Sequence, residues 1–356
     1  MSLLKTTTIE PQAVLEQARF LSYKTPFFFT SRGALRKNYR TYTGLFDNSE
    51  IYYALKANSD PKILTYLNEL GSGFEAASAY EIDLLLKLGV DPAKITYGTS
   101  IKPAEHIDSA YKAGIQCFAA DSKEEIAKLA LYAPGARVFI RTIVDDGGSV
   151  FTMSERFGAP ASKVKDIALY AHGLDLKLYG LSFYVGSQAA HADMWAKGIY
   201  TVKPIIEDLL EEGVSLEVLN IGGGFPVHYD NHQDAPELRE IVVEVHNALH
   251  ALPYMPRVMM EPGRGMVATS TVLVSEVVAR SNRGDKPWLC LDAGIYNALF
   301  EAMLHQGSTR YPVHMVNPPT DPVETQKFTL AGPPVIAWIS LPGTWNCLRI
   351  SISGIS

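Results

Sequence analysis

Cysteine is scarce in this chain, and positive charge is not in excess. The 356 residues include three cysteines, Cys117, Cys290 and Cys347, whose wide spacing fits neither a disulfide framework nor a zinc site. The formal net charge of -6 argues against the concentrated basic surface of nucleic-acid-binding proteins. These features favour a protein of a reducing compartment that binds a small molecule and no nucleic acid or metal.

Long hydrophobic stretches are also missing. No run approaches the roughly 18 apolar residues of a membrane-spanning helix, and residues 1–12 lack the apolar core of a signal peptide. No internal repeat or low-complexity tract is visible, and the apolar content of 47% suffices for a large core. We therefore expect a cytoplasmic enzyme without a membrane partner.

Short apolar strands alternate with amphipathic helical stretches over most of the chain, which is typical of a parallel sheet with helical crossovers. Eight strands are predicted, near residues 51–55, 73–75, 95–98, 117–120, 138–143, 178–184, 216–221 and 257–261. Eight strand–helix units in this length favour a closed (β/α)8 TIM-like barrel over an open doubly wound sheet.

The residue pattern changes after Arg264. Residues 266–279 are rich in β-branched side chains, which predicts a second, mostly β domain. The predicted division is an N-terminal segment 1–26 that joins the β domain, a barrel 27–265, and a partial β domain 266–356.

The first barrel strand is predicted to end on a lysine, in the sequence Ile-Tyr-Tyr-Ala-Leu-Lys-Ala-Asn of residues 51–58. Burial at this point would disfavour the charged amine, so we expect a lowered pKa for Lys56. Such a lysine can form a Schiff base with an aldehyde cofactor or a carbonyl substrate. The alternative is a lysine that extends to solvent and pairs with a carboxylate.

Further polar or glycine residues follow the other strands, at the end where a barrel places its chemistry. They are Glu75, Glu81, Lys102, Arg141, Tyr184, Ser187, Gly222, Gly223, Gly224, Glu261, Gly263 and Arg264. Glycines lack Cβ, so their N–H groups can surround an anion, and Ser187 and Arg264 would complete a phosphate site. A flexible turn is the alternative for the glycines, and a salt bridge to Arg264 is the alternative for Glu261.

An amine nucleophile, a phosphate site and a carboxylate at one barrel mouth together indicate pyridoxal phosphate. Lys56 would hold its aldehyde as an imine. Glu261 would keep the pyridine nitrogen protonated, so that the ring can accept electrons from the substrate Cα.

With these residues, the chain resembles the fold type III pyridoxal phosphate decarboxylases, which act on ornithine, lysine or diaminopimelate and have an alanine racemase-like barrel. The matching motifs are Tyr53-Ala54-Leu55-Lys56-Ala57-Asn58, Gly73-Phe74-Glu75-Ala76-Ala77-Ser78 with Glu81-Ile82, Arg156-Phe157-Gly158, Val185-Gly186-Ser187, Gly222-Gly223-Gly224-Phe225-Pro226 and Glu261-Pro262-Gly263-Arg264. Residues 292–296 and 330–333 favour the ornithine/lysine branch, which serves polyamine biosynthesis. The resemblance implies a homodimer with shared active sites, and it places Tyr296 near cofactor and substrate.

Three departures from the family pattern stand out. Tyr184 occupies the place of a histidine that stacks on the pyridine ring, and an aromatic ring can still stack there. Residues 332–337 read Gly-Pro-Pro-Val-Ile-Ala where the family has Gly-Pro-Thr-Cys-Asp, whose cysteine protonates Cα and whose aspartate binds the distal amine. The family has a further acidic residue for that amine, and its expected position falls near His305. Glu301 is the nearest carboxylate to that position in this chain.

A shifted reading frame is our hypothesis for the lost motif. The codons ACC TGT GAT AGC CTG GAT encode Thr-Cys-Asp-Ser-Leu-Asp, and without their first base they encode Pro-Val-Ile-Ala-Trp, the sequence of Pro334 to Trp338. A natural truncated paralogue is the alternative.

The predicted function is therefore decarboxylation of ornithine or lysine to a diamine, with turnover weakened by loss of the final proton donor. One alternative is a non-catalytic homologue that binds or regulates a partner. Diaminopimelate decarboxylase and an amino-acid racemase are further alternatives, and a racemase needs a second acid/base on the opposite ring face.

Overall fold

The computed structural model describes residues 24–46, 48–152, 156–228, 235–300, 325–326, 328–332 and 347–348. The chain divides into two compact units. One contains Arg32–Val227 and Asp234–Ala268, and the other contains the described residues that precede or follow these, with His228. The predicted boundaries at residues 26 and 265 stay a proposal.

Seventeen strands occur among the described residues, numbered in chain order. They are β1 Phe27–Thr30, β2 Ser49–Ala54, β3 Gly73–Ala76, β4 Ile95–Tyr97, β5 Cys117–Ala120, β6 Arg137–Thr142, β7 Ser149–Phe151, β8 Lys177–Phe183, β9 Ser187–Ala189, β10 Val218–Asn220, β11 Arg257–Met260, β12 Thr271–Val274, β13 Val277–Arg283, β14 Lys286–Leu291, β15 Thr325–Gln326, β16 Thr329–Ala331 and β17 Cys347–Leu348.

The α-helices of the described residues are α1 Arg32–Thr43, α2 Pro61–Leu70, α3 Ala79–Lys87, α4 Ala104–Lys112, α5 Lys123–Tyr132, α6 Ala161–Gly173, α7 Met194–Glu211, α8 Leu238–His250 and α9 Arg264–Val267. Short 3₁₀ turns occur at Leu55–Ala57, Pro92–Lys94 and Ala268–Ser270.

Eight parallel strands close into a barrel in the order β10-β11-β2-β3-β4-β5-β6-β8. Strands such as β3 and β5 are buried at every residue, as expected where helices cover the outside of a parallel sheet and side chains fill the inside. The predicted (β/α)8 barrel is confirmed, and its eight strands are the eight that the sequence indicated.

Local signals start and end the helices that connect the strands. Asp60 accepts a hydrogen bond from the backbone N–H of Lys62, and Pro61 occupies the first turn of α2. Gly71 ends this helix in the left-handed conformation, with φ 99°. A short connection thus leads from the carboxyl end of β2 to the start of α2, whereas longer connections follow β6, β8 and β10.

The amino end of the barrel is closed by packed side chains. Cys117, Phe139, Tyr179, Val218 and Met259 form a buried cluster there. Burial raises the pKa of the Cys117 thiol to about 12, so this cysteine is an unreactive core residue. The opposite end, where the strands finish, is left for binding and chemistry.

The second unit is mostly β. Strand β1 pairs antiparallel with β12, so residues 27–30 are not part of the barrel sheet. Strand β14 pairs with β13 and β16. The mostly β second domain is confirmed, although residues 266–270 of its predicted start are helical.

Two features of the barrel unit were not predicted. They are the helix α1 and the antiparallel pair β7 and β9. None of the helices in the described ranges has the length and apolar character needed to cross a membrane.

Candidate active site

Lys56 lies in the 3₁₀ turn Leu55–Ala57, immediately after β2. Its side chain is 59% exposed, and its Nζ is 3.6 Å from Oε2 of Glu75. The negative charge of Glu75 raises the pKa of Lys56, and this effect outweighs desolvation, which lowers it. The predicted lowering of this pKa is therefore wrong, because the sequence did not reveal that a carboxylate faces the amine.

Glu75 is a buried carboxylate on β3. Gly98, just after β4, makes room for it, because a Cβ at residue 98 would overlap Oε1 of Glu75. Oε2 of Glu75 has no hydrogen-bond partner among the described residues, and it is the oxygen that faces Lys56. A buried acceptor left open in this way fits a site that is completed by a ligand.

Glu261 directly follows β11 and faces the same region. Its Oε1 accepts a hydrogen bond from Nδ2 of Asn220 at 2.6 Å. Desolvation, and then the charge of Glu75, raise the pKa of Glu261 to about 7, while Asn220, Lys56 and Arg141 act in the opposite direction. The carboxyl group therefore titrates near neutral pH.

The glycine turn after β10 is packed too closely for any side chain. A Cβ at Gly222, Gly223 or Gly224 would overlap a backbone oxygen, that of Phe183, Glu261 or Gly186 respectively. The N–H of Gly222 already donates to Oδ1 of Asn220 at 2.9 Å. No group in the described ranges accepts a hydrogen bond from the N–H of Gly223 or Gly224.

Ser187 and Arg264 lie together beside this turn. Nε of Arg264 donates to Oγ of Ser187 at 3.4 Å. Gly263 lets the chain pass close to the turn after β2, because a Cβ there would be 3.0 Å from Cβ of Ala57. Ser187 follows Gly186, whose carbonyl oxygen lies against Gly224, so the Ser187–Arg264 pair adjoins the glycine turn.

The ring of Tyr184 lies near two cations. Nζ of Lys56 is 5.6 Å from its centroid, and Cζ of Arg141 is 5.8 Å from it. Arg141 is also 5.5 Å from the ring centroid of Phe157, in the motif Arg156-Phe157-Gly158. Cation–π attraction of this kind holds both charges at the barrel mouth.

Five of the predicted site residues, with Asn220 in addition, line one cleft, whereas the residues predicted for the phosphate do not line it. Its lining includes Lys56, Glu75, Arg141, Tyr184, Asn220 and Glu261.

The two residues predicted to bind substrate, Tyr296 and Glu301, do not belong to the barrel unit as the structure describes it. Tyr296 belongs to the second unit, where it is 71% exposed, and Glu301 and residues 333–346 lie outside the described ranges.

Asn220 and Gly98 were not predicted as site residues. An asparagine that precedes a glycine turn at a strand end was a usable signal for Asn220, because its short amide can bond the next backbone groups. Gly98 gave no comparable local signal, since its role depends on a side chain from another strand.

A parallel barrel with an amine, two carboxylates and a glycine-lined turn at one mouth is the architecture of a protein that binds an anionic aldehyde. Pyridoxal phosphate fits these residues, because the open oxygen of Glu75 faces an amine and two N–H groups of the glycine turn have no acceptor among the described residues.

Comparisons with known proteins agree with pyridoxal phosphate as the cofactor. Residues 32–268 match the family model described as pyridoxal-dependent decarboxylase, pyridoxal binding domain. The chain is 33% identical over 290 residues to a lysine/ornithine decarboxylase of Selenomonas ruminantium, covering 82% of this chain and 73% of that protein. It is 30% identical over 254 residues to antizyme inhibitor 2 of Xenopus laevis, covering 71% of this chain and 56% of that protein.

A solved structure is similar over nearly the whole chain. The crystal structure of SrLDC in complex with PLP and cadaverine matches with a TM-score of 0.82 at 30% identity, covering 93% of this chain and 82% of that chain.

The chain belongs to the pyridoxal-dependent decarboxylase family, since the family model spans most of it. The predicted family with its ornithine/lysine branch, and pyridoxal phosphate as cofactor, are confirmed. The predicted enzyme class, a pyridoxal phosphate-dependent decarboxylase, is confirmed at the level of the family.

Proposed function

We propose that this chain decarboxylates a basic amino acid, ornithine or lysine, to the corresponding diamine. The observation that carries the proposal is the convergence of Lys56, Glu75 and Glu261 on one cleft of the barrel. The name of the matched Selenomonas protein, a lysine/ornithine decarboxylase, supports the substrate class.

The residues that would hold the cofactor follow from their chemistry. Lys56 would bind the aldehyde, Glu261 the pyridine nitrogen, and Gly223, Gly224, Ser187 and Arg264 the phosphate. Gly222 and Gly263 would allow the backbone to pass close to neighbouring segments at the site. When bound, pyridoxal phosphate supplies an electron sink for the charge left at Cα as carbon dioxide departs.

Glu75 and Lys56 control where a proton resides before the reaction. The ion pair keeps the amine protonated, and an amine must be neutral to attack a carbonyl. Since Oε2 of Glu75 is buried and faces Nζ, it is placed to hold the proton that Lys56 gives up.

The protonation of Glu261 is set by opposing neighbours. Desolvation and the charge of Glu75 raise its pKa, whereas the Nδ2–H of Asn220 and the charges of Lys56 and Arg141 lower it. An ionised Glu261 is the state that would bind a protonated pyridine nitrogen, and Tyr184 would cover the ring.

The substrate's distal amine needs an acidic partner. We keep Glu301 as the candidate for this partner and Tyr296 as a residue near cofactor and substrate, within a homodimer whose subunits share active sites. A cytoplasmic location also remains a prediction.

The proposal is tested by cofactor attachment and by carbon dioxide release. We expect the chain to show a visible absorbance band with pyridoxal phosphate that borohydride removes, and a mass increase on Lys56. The variant Lys56→Ala should lose the band, whereas Lys62→Ala, which removes an exposed lysine of α2, should keep it.

Carbon dioxide release from ornithine, lysine and diaminopimelate, with racemisation measured in parallel, distinguishes the substrate and reaction classes. A band without release from any of the three would contradict decarboxylation.

A second candidate is a non-catalytic homologue that regulates a partner protein. Two observations favour it: the sequence lacks Thr-Cys-Asp after residue 333, and antizyme inhibitor 2 is similar over 71% of this chain. Absence of both the band and carbon dioxide release in a folded chain would support this candidate.

A further inference from the structure

Gln188 adopts a backbone conformation that is unusual for its residue type. It lies in β9 with φ 55°, in the left-handed region that favours glycine. Its side chain is buried and makes two hydrogen bonds to one residue. Nε2 donates to the carbonyl oxygen of Val227 at 2.9 Å, and the N–H of Val227 donates to Oε1 at 2.8 Å.

This pair of bonds fixes the far end of the glycine turn. The near end is fixed by Asn220, which accepts from the N–H of Gly222. Between them, Nε1 of Trp195 donates to the carbonyl oxygen of Gly223 at 3.2 Å, and the N–H of Ala189 donates to that of Gly224 at 3.1 Å. The carbonyl oxygens of Gly223 and Gly224 are thus held by hydrogen bonds, while the N–H groups of these two glycines bond no other described residue.

Gln188 also adjoins Ser187, the partner of Arg264. One residue therefore connects the two segments that carry the proposed phosphate ligands, the β9 segment and the glycine turn.

We propose that Gln188 is the positioning residue of this anion site: its side-chain amide clamps Val227 and so holds the N–H groups of Gly223 and Gly224 and the hydroxyl of Ser187 in one arrangement. The inference rests on the proposed function, in which this arrangement binds the cofactor phosphate. A turn that is already ordered binds an anion more tightly, because no ordering cost is paid on binding.

The chemistry of the clamp explains why glutamine occupies this position. The two bonds need a donor and an acceptor at the end of one side chain, and only the amides of asparagine and glutamine supply both in this form. Glycine would suit the backbone better but would provide no clamp. The variant Gln188→Gly therefore separates the side-chain role from the backbone role.

The test compares Gln188→Ala and Gln188→Gly with the wild-type chain and with Gln116→Ala. Gln116 is exposed and immediately precedes β5, at the other end of the barrel, so its removal is a matched control. Two ligands are used, pyridoxal phosphate and pyridoxal, which differ only in the phosphate. Hydrogen exchange of the Val227 N–H is measured in the full chain before cofactor is added.

We expect the Kd for pyridoxal phosphate to rise about tenfold or more in both Gln188 variants, as two lost hydrogen bonds imply, while the Kd for pyridoxal changes less than about twofold. Exchange of the Val227 N–H should accelerate by a similar factor. Gln116→Ala should match the wild type in all three measurements.

Three results would overturn the inference: wild-type pyridoxal phosphate affinity in Gln188→Gly, equal weakening of both ligands, or unchanged exchange at Val227. A folded wild-type chain that binds neither ligand contradicts the proposed function and the phosphate role together. Unchanged exchange at Val227, with normal wild-type binding, contradicts the clamp alone.

Discussion

The amine of Lys56, in the turn that follows β2, lies 3.6 Å from the carboxylate of Glu75 on the neighbouring strand β3. Glu75 also faces Glu261, whose pKa its charge raises. A single carboxylate therefore influences both groups that would bind opposite ends of the cofactor ring.

Replacing Glu75 with glutamine should lower the pKa of Lys56, because it removes the charge that raises this pKa. Attachment of pyridoxal phosphate to the chain without cofactor, trapped with borohydride, should then reach half its maximal rate at a lower pH. Glu105→Gln, at an exposed site in the first turn of α4, is the control and should leave the midpoint unchanged. A shift to higher pH would contradict the ion pair.

Glu261 should make the chain without cofactor less stable as the pH rises from about 4.5 to about 7. Its folded-state pKa is raised from 4.5 to about 7, so the folded state binds more protons in this window and loses that advantage as the proton leaves. The loss is on the order of 3 kcal/mol. Glu261→Gln should flatten this part of the pH profile in chemical denaturation, and an unchanged slope would show that Glu261 is ordinarily solvated.

Gly98→Ala should displace the Glu75 carboxylate, since the new Cβ would overlap Oε1. We expect a stability loss of about 1–3 kcal/mol, as for other overpacked sites, together with a lower pKa of Lys56. Gly173→Ala, at a helix end with open space around it, is the control and should be nearly neutral. Unchanged stability and an unchanged Lys56 titration would mean that Glu75 does not depend on Gly98.

The coding DNA should yield Thr-Cys-Asp when read with one base restored before Pro334. A chain with the restored frame should release carbon dioxide faster than this chain, because the family's proton donor and distal-amine ligand return. DNA that encodes no such motif in the shifted frame would remove the hypothesis and leave a natural variant.

Some of the site was accessible from sequence because its signals are local. The turn after β2 presents Lys56, and Gly222 to Gly224 follow β10, both within a few residues of an apolar run that any reader can recognise. The β-branched stretch from residue 266 was misleading at its start, where α9 and the turn Ala268–Ser270 form instead of a strand. Helix α9 packs beside α1, and Asn38 donates to the carbonyl oxygen of Met266. These two residues are far apart in sequence, so local residue preferences do not reveal the contact.

The sequence by itself determined the eight barrel strands, the lysine and the glycine turn at their ends, because each depends on hydrophobic periodicity and residue type over a few positions. Only the tertiary structure decided that Lys56 carries a raised pKa, that Asn220 links Glu261 to Gly222, and that Gln188 clamps Val227. The last two contacts join residues 41 and 39 positions apart, and the charge on Lys56 is set by a neighbouring strand. Electrostatic and hydrogen-bond energies depend on distances between such residues, which only closure of the barrel establishes.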